Sequence, residues 1–233
     1  MKSSALLLLF AAALPITVRA DLTIVQKVDG VGMFNQITTK LKGDKARVEV
    51  SPEMAAIIDN KSGEIINLMN TQKKFVRLSA DQSKAIAGLA SKYGDTGATT
   101  VKPKLKATGK KETINGYEAD EYVRESPTMK ETYWIALKYP ESAAIVKQLQ
   151  AITPAAWNNV AKGMFDYRDF PGLPLRTIVK TEGSEVVSTI VSIKQDPLPE
   201  TEFLVPKDYE EVKVPNLKEM LSEKPQVPSS NNP

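Results

Sequence analysis

The sequence predicts an α+β fold: a curved antiparallel sheet forming an incomplete β-barrel of about ten strands, with helices covering its concave face. Short β-prone runs separated by turns fill residues 22–78 and return at 104–137 and 175–194. A helical period replaces them at 79–93 and again at 142–161. Short turns between successive strands allow only antiparallel pairing, and a large twisted sheet tends to curl.

The first six predicted strands form a meander. Residues 44–50 show the pattern best, since Ala46 and Val48 face one way while Arg47 and Glu49 face the other. For Arg47 and Glu49 we expect a cross-strand ion pair on the outer face. Glycine-containing turns separate several of the strands, as hairpins favour. The predicted strands cover residues 22–28, 31–41, 44–50, 54–59, 64–69 and 74–78.

Two helical inserts interrupt the later strands. Ser79 or Asp81 can cap a helix that ends near Tyr93, and residues 94–100 have the Gly/Thr composition of a loop. The second insert spans 142–150 and 154–161. Asn115-Gly116 is a strong hairpin signal, because both positions tolerate positive φ. The remaining predicted strands are 104–111, 117–125, 132–137, 175–181 and 186–194, followed by an extended piece at 202–205.

The N-terminus has the three-part pattern of a cleavable secretory signal. Lys2 supplies the positive end, an apolar run follows, and Val18-Arg19-Ala20 resembles a signal-peptidase site. We therefore expect a signal peptide at 1–20, one domain at 21–212 and a Pro-rich flexible tail at 213–233. The expected location is periplasmic or secreted. No other stretch reaches the ~20 apolar residues of a spanning helix, so an integral membrane protein is not expected.

The composition excludes several chemistries. The chain contains no cysteine and no histidine. It therefore has no disulfide, no Ser-His-Asp triad, no Cys-His pair and no ordinary zinc or copper site. The formal net charge of +3 falls by two when Lys2 and Arg19 leave with the signal, so nucleic-acid binding is not expected. We expect no cofactor and no enzymatic activity.

Carboxylates are the remaining catalytic candidates. Glu118, Asp120 and Glu121 form an acidic cluster that could act on a sugar, but their alternation along a strand favours simple solvent exposure. Three aspartates have a spacing that fits no EF-hand loop and indicates turn or cap roles. These are Asp166, Asp169 and Asp196.

Eight segments carry a resemblance to a known family. They are GDKARVE at 43–49, IID at 57–59, GEIINLM at 63–69, KKF at 73–75, INGYEADEY at 114–122, YWIA at 133–136, GLPLR at 172–176 and FLVPKDY at 203–209. Their order resembles a family of bacterial secreted proteins similar to the periplasmic lipoprotein carriers and their outer-membrane receptors. The resemblance covers about residues 22–212. It implies an incomplete barrel whose apolar cavity holds an acyl chain or another hydrophobic ligand.

The concave face of the sheet is the predicted binding surface. Ligand pockets are mostly apolar with a few polar anchors. The candidate lining residues are Met33, Ile37, Leu41, Val48, Ile58, Leu68, Tyr133, Trp134 and Ile135. The alternative is that these residues are only core.

Three functions follow from these predictions. The first is a non-enzymatic periplasmic carrier that holds a hydrophobic ligand or a lipidated protein segment. The second is an envelope interaction or sensor module with a filled core and a protein partner. The third, favoured least, is a carboxylate-based hydrolase.

Overall fold

The computed structural model describes residues 20–32, 34–93, 103–151 and 167–213. Within them, one sheet of twelve strands accounts for most of the structure. The strands are β1 (Leu22–Asp29), β2 (Gln36–Lys42), β3 (Lys45–Ser51), β4 (Met54–Asp59), β5 (Glu64–Met69), β6 (Lys74–Leu78), β7 (Lys106–Ile114), β8 (Tyr117–Glu125), β9 (Met129–Ala136), β10 (Leu173–Thr181), β11 (Ser184–Lys194) and β12 (Glu210–Glu211).

The sheet consists of two antiparallel meanders joined by the pairing of β1 with β11. Its order is β12-β6-β5-β4-β3-β2-β1-β11-β10-β9-β8-β7. Only β12 pairs in parallel, with β6. Because β12 and β7 are the two ends of this order, the sheet is open and not closed into a barrel. The antiparallel prediction is confirmed, and the number of strands exceeds the ten expected.

Two helices lie in the described residues, α1 (Ala80–Tyr93) and α2 (Ser142–Ala151). The first packs on β5 and β6, and the second packs on β10 and on a 3-10 turn at Tyr167–Asp169. Here the prediction of helices covering the concave face is only partly right, since the described protein is mainly sheet. The predicted helical piece at 154–161 lies outside the described residues. No described helix is both long enough and apolar enough to span a membrane.

The residue types in the turn between β7 and β8 explain why this hairpin forms at the predicted position. Asn115 and Gly116 both adopt positive φ, at 51° and 82°, as a two-residue turn between β7 and β8 requires. Asn115 Nδ2 also donates a hydrogen bond to the carbonyl oxygen of Ile190 at 2.5 Å, which ties this turn to β11.

Buried apolar side chains form two clusters. The first centres on Leu22, Ile24 and Leu41 and includes Ile145 and Leu149 of α2. The second cluster lies on the other face of β4 to β6. Its buried members are Ala55, Ile57, Ile66, Leu68, Phe75 and Phe203.

The second cluster is covered by a segment that we call the C-terminal strap, residues 198–212. Phe203 of the strap inserts among the strand residues, and Val212 N–H donates to the carbonyl oxygen of Phe75 at 2.8 Å. At the other end, Lys42 Nζ donates to the carbonyl oxygen of Leu198 at 2.7 Å. Residues 202–205 were expected to be extended. A 3-10 turn at Glu200–Phe203 replaces the start of that piece, and this turn places Phe203 in the cluster.

Candidate functional site

Three of the predicted lining residues share one face of adjacent strands. Val48 on β3 lies opposite Thr39 on β2, and Ala46 lies opposite Ile58 on β4. Since side chains alternate along each strand, Ile37, Val48 and Ile58 point to the same side. All three are half-buried rather than buried. We call this surface of β2 to β4 the apolar face.

Two other predicted lining residues, Leu41 and Leu68, are buried. Leu41 lies opposite Ala46 and is on the same side of β2 as Ile37, but at 3% exposure it is part of the first buried cluster. Leu68 is opposite Ala55 and Phe75 in the register, so it points to the other side of the sheet and lies under the strap. The expectation that Leu68 shares a surface with Val48 and Ile58 was therefore wrong. Met33 lies outside the described residues.

The three candidates on β9 do not line one surface either. Tyr133 and Ile135 are fully buried, while Trp134 between them points to the opposite side and is half-buried. Tyr133 O–H donates to Glu131 Oε1 at 2.8 Å, and Arg124 Nη2 donates to the Tyr133 oxygen at 3.3 Å. Burial raises the pKa of the Tyr133 hydroxyl, and the negative charge of Glu131 raises it further. Tyr133 is thus a structural residue and not a rim residue.

A cleft beside the polar side of β3 was missed by sequence reasoning. It has a volume of about 720 Å³ and lies beside the β1–β2 loop and the β3–β4 turn. Phe34, Arg47, Glu49, Pro52 and Asn70 are among its lining residues, and none of the lining residues is buried. Its described lining includes none of the predicted residues. Its lining residues come from turns and from the polar side of β3. A search for alternating hydrophobic residues does not detect a site of this kind.

Two charged residues that line this cleft, Arg47 and Glu49, form an ion pair. Arg47 Nε donates to Glu49 Oε1 at 2.7 Å along the same strand, and Lys40 Nζ reaches the same oxygen at 3.3 Å. Lys40 also pairs with Glu202 of the strap at 2.9 Å. The predicted cross-strand contact of Glu49 is therefore made by Lys40, and Arg47 pairs along its own strand. Burial raises the pKa of Glu49, but the hydrogen bond from Arg47 and the two positive charges outweigh it and leave that pKa lowered.

A second, smaller cleft of about 450 Å³ contains Trp134. Its other lining residues lie on β7 to β11, and most of them are charged. Trp134 is in register with Glu121 on β8 and with Arg176 on β10. A side chain that the sequence assigned to an apolar cavity therefore lines a polar groove.

The acidic cluster does not form a pair of facing carboxylates. Glu118 and Asp120 point to one side of β8 and contact Lys111, at 2.8 and 3.5 Å. Glu121 points to the other side, where it accepts a hydrogen bond of 2.6 Å from Thr108 Oγ1. In the part of the chain that the structure describes, no group of three or more carboxylates is placed to hold a metal ion.

Comparison with known proteins places this chain in a family. A family model described as a domain of unknown function, DUF4412, matches residues 22–209, and the chain belongs to that family. No curated protein sequence matches it.

Solved structures resemble it distantly. PNGF-II, in its P21 crystal form, has 15% identity and a TM-score of 0.42 over 88% of this chain and 33% of its own. The C2 form gives 16% identity, the same TM-score and the same coverage. LprF from Mycobacterium bovis has 12% identity and a TM-score of 0.32, over 82% of this chain and 90% of its own. The chain thus spans about a third of the length of PNGF-II.

Proposed function

We propose that this protein is a non-enzymatic carrier or binding protein of the cell envelope, and that it holds one acyl chain against the apolar face. The observation that carries the proposal is the shared orientation of Ile37, Val48 and Ile58 on adjacent strands, where all three are half-buried beside the buried Leu41. Apolar surface left partly in water is stabilised when a hydrophobic ligand covers it.

The surface suits a linear chain better than a compact ligand. It crosses three strands, two steps of about 4.8 Å, and its central residues are β-branched side chains without a polar atom. Each methylene that leaves water contributes about 0.8 kcal/mol, so an acyl chain gains affinity steadily with length. The proposed site involves no described carboxylate, in keeping with a binding role.

The experiment is a fluorescence titration of the purified full chain with a dansyl-labelled undecanoic acid, with palmitate as competitor. We expect saturable binding that palmitate reverses. Val48→Ser combined with Ile58→Ser should weaken it about tenfold or more, because each change removes apolar contact. Mass spectrometry of organic extracts should find acyl lipid bound to the wild type and little on the double variant.

A matched control is Val191→Ser. Val191 lies on β11 and is 51% exposed, so the same chemical change falls outside the proposed site. This variant should bind like the wild type, and circular dichroism should show that all three proteins are folded. Equal affinity of the wild type and the double variant, or no saturable binding in any of them, would refute the proposal.

A further inference from the structure

The cleft beside Trp134 combines an aromatic ring with hydrogen-bonding groups on both sides. Trp134 on β9 lies opposite Glu121 on β8 and opposite Arg176 on β10. Ile178 of β10 and Glu112 of β7 also line the cleft. Neighbouring strands therefore present an acid and a guanidinium beside one half-buried indole. The volume of about 450 Å³ falls within the range of small-molecule sites.

The charges in this cleft are balanced and paired. Arg176 Nη1 donates to Glu112 Oε1 at 2.8 Å, and Lys180 contacts Glu185 at 3.5 Å. Glu121 accepts a hydrogen bond from Thr108 and is 3.5 Å from the ammonium of Lys110. A free anion or cation would have to displace a partner that is already in place. Neither phosphate nor an ammonium ligand is favoured here.

An acyl chain is disfavoured for a different reason. Covering the charged groups of the cleft with hydrocarbon would remove their water without replacing its hydrogen bonds, which is costly. A ligand that suits the cleft must give hydrogen bonds to carboxylates, accept them from a guanidinium and place an apolar patch on an indole. A hydroxyl group both donates and accepts, and the C–H face of a sugar ring supplies the patch.

From these constraints we infer that the Trp134 cleft is a binding site for a neutral carbohydrate. One sugar face stacks on the indole of Trp134, and ring hydroxyls hydrogen-bond to Glu112 and Arg176. This site lies on β7 to β11, whereas the proposed acyl site lies on β2 to β4. The two proposals can therefore fail separately.

The experiment uses tryptophan fluorescence of the full chain. The sequence has two tryptophans, Trp134 and Trp157, so Trp157→Phe leaves one reporter in the cleft. Maltotriose, cellotriose and N-acetylchitotriose are titrated separately into this variant. We expect a saturable change in emission with at least one of them, at the millimolar affinity typical of a shallow site. Palmitate, which carries no fluorophore, should leave this emission unchanged.

Variants then test the residues by saturation-transfer NMR with the sugar that responds. Trp134→Ala should weaken binding about tenfold, and Glu112→Gln should weaken it several-fold by removing a strong acceptor. Glu112→Gln keeps the shape of the cleft, so it tests the proposal even if Trp134→Ala unfolds. Glu182→Gln, in the exposed β10–β11 turn, is the matched control and should bind normally. The proposal is overturned if no sugar gives a saturable response, or if Glu112→Gln binds as tightly as the control.

Discussion

Arg124 and Glu131 form a buried ion pair across β8 and β9. The guanidinium contacts both carboxylate oxygens, through Nε on one side and through Nη2 at 2.8 Å on the other. The two residues are 5% and 4% exposed, and Tyr133 donates a third hydrogen bond to the same carboxylate. Burial lowers the pKa of Arg124, but the hydrogen bond that Arg124 donates to Glu131 and nearby negative charges outweigh it and leave that pKa raised.

Removing one partner of this pair should destabilise the protein strongly. Glu131→Leu removes the carboxylate that accepts two hydrogen bonds from the buried guanidinium, and we expect a loss of about 3–5 kcal/mol in the free energy of unfolding. Arg124→Met with Glu131→Leu should recover much of that loss, since the buried charge is removed together with its partner. Urea denaturation measures both values.

The control for this pair is Glu125→Gln. It breaks the exposed contact between Glu125 and Lys130, which measures 2.7 Å, and it should leave the urea midpoint unchanged. If the double variant were as unstable as Glu131→Leu alone, the buried charge of Arg124 would not be the cause of the loss.

The strap should contribute to stability through one side chain. Phe203 is 4% exposed in the second cluster, whereas its neighbour Leu204 is 53% exposed. Phe203→Ala should cost about 3–5 kcal/mol, because it leaves a cavity under the strap. Leu204→Ala should have a small effect, measured by the same denaturation. Similar losses for both variants would contradict the view that Phe203 anchors the strap.

Gly30 should not accept a side chain. Its φ is +92°, and a Cβ there would lie 2.0 Å from the carbonyl oxygen of Glu185. Gly30→Ala should therefore cost more than the roughly 1–2 kcal/mol of the backbone conformation alone, because the β1–β11 pairing must also shift. Gly32→Ala has open space and should be nearly neutral, as thermal unfolding can verify. A melting temperature for Gly30→Ala equal to that of Gly32→Ala would show that the pairing moves freely.

Glu49 should make the stability of the protein depend on pH under acidic conditions. Its pKa in the folded protein is lowered from the ordinary value of 4.5. The contribution of Glu49 to the free energy of unfolding is therefore complete above pH 4.5. The contribution is lost as the pH falls through the folded pKa. Urea midpoints of the wild type and Glu49→Gln should therefore differ most at neutral pH and converge as the pH falls below 4.5 and through the folded pKa.

Arg47→Met tests the cause of this dependence. Arg47 supplies the hydrogen bond that lowers the pKa of Glu49, so its removal should shift the acid transition of stability upward in pH. If the urea midpoints of the wild type and Glu49→Gln instead differed by the same amount from neutral to acidic pH, Glu49 would not be the cause of the pH dependence.

Much of the sheet was predictable because its signals are local. The alternation at 44–50 and the Asn115-Gly116 turn each depend on a few consecutive residues. β2 was predicted five residues too early, at 31 instead of Gln36, because the apolar Val31 continues the β-prone pattern into the loop. The candidate site was predicted in part, since Ile37, Val48 and Ile58 share a face, but Leu68 and Trp134 do not belong to it.

The sequence by itself determined the antiparallel strands, their turns and the chemistries that a chain without histidine and cysteine cannot perform. Those conclusions rest on local conformation and on residue types. Only the tertiary structure decided which side of each strand is covered. Alternation separates the two sides of a strand but does not identify the side that a distant segment will bury. Phe203 of the strap buries Leu68, and Glu121 and Arg176 on the flanking strands turn the surroundings of Trp134 into a polar cleft.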